Sequence, residues 1–116
     1  MFGENAPDKL LFQYFQRQQV AWRPLLEKSQ SLEERAAKWV TLRTKLGCAA
    51  VLCDEAAGGL RIEEYHHPLQ RVFEHYPRAV AMELRMMEQL LGTRVQRREL
   101  AGGRTGQPRV VFELAR

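Results

Sequence analysis

A chain of 116 residues with 45% hydrophobic content is long enough for one domain with a modest core, and a second domain is not expected. Its formal net charge of +4 comes from 18 basic residues interspersed with 14 acidic ones, which reads as a mixed solvated surface rather than the clustered charge of a nucleic-acid footprint. Two cysteines, Cys48 and Cys53, are too few for a disulfide framework, no apolar run approaches the ~18 residues of a membrane span, and no secretory leader opens the chain, so a cytoplasmic protein with no membrane partner is expected.

Met1 to Pro7 (residues 1–7) reads as a short flexible tail, and residues 8–116 as one domain. Asp8 is placed to cap a helix that begins at the apolar run Leu10-Leu11-Phe12 and continues to about Glu27, with Pro24 positioned to bend or end it. Large apolar residues at Leu10, Leu11, Phe12, Tyr14 and Phe15 cover more than one stripe of that helix. The surplus fits either plain core or a dimer interface. Ser31-Leu32-Glu33-Glu34 has the pattern of a capping box, so a second helix should start there and stop at Gly47. Ala36, Ala37, Trp39, Val40, Leu42 and Leu46 give it an apolar side, while Lys38, Arg43 and Lys45 are expected to face water.

Cys48 to Cys53 predicts a buried strand, Ala57-Gly58-Gly59 a turn, and Leu60 to Tyr65 a half-buried strand, together a hairpin. The stretch from Tyr65 to Gly92 contains Pro68, Pro77 and a long amphipathic helix, in which Val80, Leu84, Met87 and Leu91 share one face and Gly92 is the stop. A second hairpin follows: Arg94 to Leu100, a flexible loop at Ala101 to Gly106, and a strand at Arg109 to Leu114. The order is two helices, hairpin, two helices, hairpin. It predicts an α+β domain with an antiparallel sheet covered by helices on one face.

The side chains with chemistry cluster in the middle of the chain. His66, His67 and His75, with Glu63, Glu64 and Glu74 nearby, are the one group of ligand-type residues, and imidazole with carboxylate suits a divalent metal. Adjacent histidines on extended backbone point in opposite directions, which counts against a shared ion without a turn there. Gly102 to Gly106 joins two strands and does not lead into a helix, so it reads as a hairpin loop and not a phosphate cradle. Met82, Met86 and Met87 suit either core filling or the floor of an adaptable pocket. Neither cysteine stands in a nucleophile motif, and no enzyme signature is present.

The succession Leu60-Arg61-Ile62-Glu63-Glu64-Tyr65-His66-His67-Pro68, His75-Tyr76-Pro77, Met82-Glu83-Leu84, Leu90-Leu91-Gly92, Val95-Gln96-Arg97, Gly103 and Val110-Val111-Phe112 resembles the C-terminal effector domain of winged-helix transcriptional regulators of the suf-operon repressor family. In that family cysteines hold an iron–sulfur cluster. The corresponding positions here are His67, Val80 and about Val110, and valine cannot ligate iron, so the resemblance implies the scaffold without the cluster. It implies a sensor and dimerisation domain that pairs as a homodimer and reaches DNA only through an N-terminal winged helix outside this chain. A small effector or a metal would bind near Tyr65, His67, His75 and Met87. A free-standing small-molecule-binding domain of the vinyl-reductase-like sort and a metal enzyme using His66, His67 and His75 are the alternatives.

Overall fold

The computed structural model describes residues 6–55 and 59–116. Eight elements follow in order: α1 (Ala6–Glu27), α2 (Leu32–Leu46), β1 (Ala50–Glu55), β2 (Gly59–Glu64), α3 (Gln70–His75), α4 (Arg78–Leu91), β3 (Val95–Leu100) and β4 (Arg109–Leu114). This is the α+β order that the hydrophobic periodicities predict. The expected tail from Met1 to Asn5 and the turn at Ala57-Gly58 lie outside the described residues. Ala6 and Pro7 belong to α1, so the helix starts earlier than expected and Asp8 sits in its first turn rather than at the cap. There Asp8 pairs with Arg78 at 2.6 Å. Pro24 stays inside α1.

Local signals set the remaining helix ends. The Ser31 hydroxyl accepts from the Glu34 amide at 3.1 Å, and the Glu34 carboxylate reaches back one residue further than expected, to the Gln30 amide. Gly47 stops α2 at φ 109°, a left-handed conformation that glycine adopts without a Cβ clash.

The four strands form one antiparallel sheet in the order β1-β2-β4-β3. Alternation sorts its two faces. Leu60 and Ile62 of β2, paired with Leu114 and Phe112 of β4, are buried under α2 and α4. On the opposite face Glu63 accepts from Arg61 at 3.0 Å and from Arg109 at 3.1 Å, and Arg98 pairs with Glu113. That face is therefore largely polar, with Val111 buried among its charged neighbours and Val51 exposed. Helix α1 packs on α4 and α2, forming an outer layer over the core of Trp39, Met87, Leu91 and Phe112. None of the described helices is long and apolar enough to cross a membrane.

Candidate functional site

Four ionisable or polar side chains meet inside the fold, each from a different part of the chain. Arg43 comes from α2, Glu64 from the end of β2, His67 from the segment after it and Glu83 from the middle of α4. All four are buried. Arg43 donates from Nε and Nη2 to the two Glu64 oxygens, both at 2.7 Å, and from Nη1 to Glu83 Oε2 at 2.8 Å. The guanidinium fork thus satisfies two carboxylates at once, the geometry in which arginine is strongest. Its Cζ lies over the Trp39 ring, 5.5 Å from the ring centroid. Arg43 is the hub of this cluster and not the water-facing residue that its charge suggested.

His67 completes the group. Its Nδ1 accepts from the Leu69 amide at 2.9 Å, so Nε2 carries the hydrogen and donates it to Glu83 Oε2 at 2.7 Å. Both ring nitrogens are thereby used. Burial alone would push the Glu83 carboxyl up. The Arg43 guanidinium and the His67 N–H outweigh it and hold that carboxyl down to about 2.

The loop between β3 and β4 braces the same histidine. Gln107 accepts from the His67 amide at 2.8 Å and donates back to the His67 carbonyl at 3.3 Å, while the Arg104 amide reaches the Tyr65 carbonyl at 2.7 Å. Gly103 is needed for this path, because a Cβ there would lie 2.3 Å from the Gln107 carbonyl oxygen. The loop expected to be flexible is a clamp.

The residues singled out from the sequence do not surround a shared space. Met87 is fully buried in the core. Tyr65 turns its hydroxyl to Glu63, 3.4 Å away, on the polar face of the sheet. His75 is exposed and bonds its own helix through the Arg71 carbonyl at 2.9 Å. His66 is half-buried and takes no part in the cluster. Among the described residues, no three His, Cys, Asp or Glu side chains are placed to hold one metal ion. The donor set of the buried cluster does not fit one either: the guanidinium of Arg43 already supplies the cation between Glu64 and Glu83, and His67 has no free lone pair. Cluster chemistry fares no better. Burial pushes the Cys48 thiol up to about 12, against the pull of Arg43, and burial followed by the hydrogen bond to Glu63 raises the thiol of Cys53.

A cleft of about 620 Å³ opens instead between α1 and α4. Asp8–Arg78 and Gln19–Gln89 bridge the two helices, each pair 70 residues apart in sequence, so α1 and α4 run parallel and side by side. Phe12, Phe15, Met82 and Met86 form its apolar floor. Gln16, Gln19, Arg23, Arg85 and Gln89 rim it. Met82 is thus the half-buried methionine that faces the cleft, Met86 belongs to the core and forms part of the cleft floor, and Met87 fills the core away from it. Sequence reasoning missed the α1 side of this cleft. The available signal was the excess apolar width of α1, which places Phe12 beyond the stripe that the core needs.

No family model, curated protein or solved structure matches the chain.

Proposed function

We propose that this chain is the effector-binding domain of a transcriptional regulator, a binding module in which a small molecule enters between α1 and α4. The observation that carries the reading is the α1–α4 cleft: a preformed space of about 620 Å³ with aromatic and thioether walls and a few polar groups at its rim, the usual composition of a small-molecule site. The resemblance to the effector half of winged-helix regulators supports the same role, with the α1–α4 cleft in place of the histidine region.

Coupling follows from the layer arrangement. Helix α1 forms the outer layer and meets the core through α4 and α2, so a ligand seated under it changes the energy of α1 positions and not of the sheet. Such a ligand shifts an equilibrium only by its differential affinity for the two positions of α1. The outward stripe of α1 carries Leu10, Tyr14 and Leu25, exposed by 68, 38 and 47%, and supports pairing with a second copy through this helix. DNA contact would come from a winged helix outside this chain. The test is sedimentation of the purified chain with and without ligand, beside Leu10→Glu/Leu25→Glu. The reading expects a dimer that the double substitution converts to monomer; a wild-type monomer at all concentrations contradicts the pairing.

A further inference from the structure

We infer that the ligand of the α1–α4 cleft is a single-chain amphipathic anion, an acyl chain with a carboxylate head. The inference rests on the reading of this cleft as the ligand site. Its first ground is the order of residues along the cleft. Because α1 and α4 run parallel with a constant offset, Phe12 lies level with Met82 and Gln19 level with Gln89. Phe12, Ala81 and Met82 make the end near the helix N-termini apolar, Gln19, Gln89 and Arg23 make the other end polar, and Gln16 and Arg85 sit between, Arg85 level with Phe15.

The second ground is charge. Arg23 and Arg85 both border the cleft, both are exposed, and no acidic side chain among the described residues pairs with either. Arg43, Arg61, Arg78, Arg97, Arg98, Arg109 and Arg116 each have a carboxylate partner, whereas Arg17, Arg35, Arg71, Arg94 and Arg104, like Arg23 and Arg85, have none among the described residues, so what sets Arg23 and Arg85 apart is their place at the cleft. No acidic residue lines the cleft itself, Glu27 and Glu88 lying beside Arg23 and Arg85 only in the adjoining hollows, and arginine binds a carboxylate through a geometrically matched fork. Gln89 accepts from Gln19 through its amide oxygen, which leaves the Gln89 amide hydrogens to donate to the same head group.

The third ground is length. Eleven residues separate Phe12 from Arg23 on α1, about 16 Å at ~1.5 Å per residue, the span of an extended chain of roughly twelve carbons.

The test is isothermal titration calorimetry on the purified full chain with dodecanoate and with dodecyltrimethylammonium, which has the same tail and the opposite charge. Dodecanoate is expected to bind one per chain and about tenfold or more tighter than the cation. Arg23→Ala/Arg85→Ala should remove that preference by weakening dodecanoate binding. Met82→Gln should weaken both ligands, with circular dichroism checking that each variant is folded. Equal affinity for the two ligands overturns the anionic class and leaves the cleft standing as the site. Binding of neither, or binding indifferent to both sets of substitutions, overturns the cleft as well. Co-flotation with phosphatidylglycerol vesicles in place of saturable binding of monomeric dodecanoate overturns the inference in favour of a membrane surface.

Discussion

The cluster around Arg43 and the cleft between α1 and α4 are both polar regions beside apolar packing, and they differ in one respect. Inside the cluster every charge faces a partner: two carboxylates share one guanidinium, and a histidine spends both nitrogens. At the cleft two guanidinium groups border an apolar floor, and among the described residues no carboxylate is bonded to either. Of the ligand-type residues that stand out in the sequence, His67 and Glu64 are therefore consumed in holding α2, α4 and the sheet together, and the plainer residues of the cleft are the ones left open to a ligand. Satisfied polar networks fix a structure; unsatisfied ones at a surface select what binds there.

This contrast breaks most visibly at Arg43. Arg43→Ala strands Glu64 and Glu83 without their cation in the core and is expected to cost about 3–5 kcal/mol, the usual result of removing one partner of a buried pair. Urea unfolding followed by circular dichroism measures it, and a loss below about 1 kcal/mol, typical of a surface residue, would place Arg43 outside the cluster.

Acid provides the next test. A carboxyl whose folded value lies at about 2, below its ordinary 4.5, stabilises the fold above the ordinary value and gives up that contribution as pH falls from about 4.5 towards 2. Stability should decline across that window in the wild-type chain. Glu83→Gln, less stable at neutral pH, should decline less steeply, and parallel profiles would mean that Glu83 is not held ionised by Arg43 and His67.

A smaller effect belongs to the clamp. Gln107→Ala removes two hydrogen bonds to the His67 backbone and should cost about 1–2 kcal/mol in the same unfolding measurement, given about 1 kcal/mol for each bond. The smallest change in stability is expected at the cleft itself. Arg23→Ala/Arg85→Ala should alter stability by no more than about 0.5 kcal/mol, since both side chains are exposed and unpaired.

Much of the fold was legible from local patterns. The capping box at Ser31, the stop at Gly47 and the alternation in Leu60-Arg61-Ile62 act within a few residues, and each predicts its element correctly. The buried cluster was missed because charge was taken as a sign of exposure, although the spacing says otherwise. Ala36, Trp39 and Arg43 recur at helical offsets and share a buried stripe, as do Ala79, Glu83, Met86 and Leu90. Glu64 follows Leu60 and Ile62 on the inward face of β2. Three charged residues on three core-facing stripes require one another, but no local rule says that those stripes meet. Of the expected stripe on α4, Met87 and Leu91 are buried and Val80 and Leu84 pack half-buried against the core, while Ala79, Glu83, Met86 and Leu90 widen the buried face to one side. The cleft was harder still, because it is made by two helices whose members lie 70 residues apart.

Methionine methyl resonances test the distinction between core and cleft most directly. Met82 lines the cleft and Met86, a core residue, forms part of its floor, whereas Met87 lies in the core away from the cleft, where the histidine-centred reading put an effector. In a chain labelled with carbon-13 at the methionine methyls and titrated with dodecanoate, saturable shifts of Met82 and Met86 with an unmoved Met87 are predicted; a Met87 that moves while Met82 and Met86 stay in place would contradict the account.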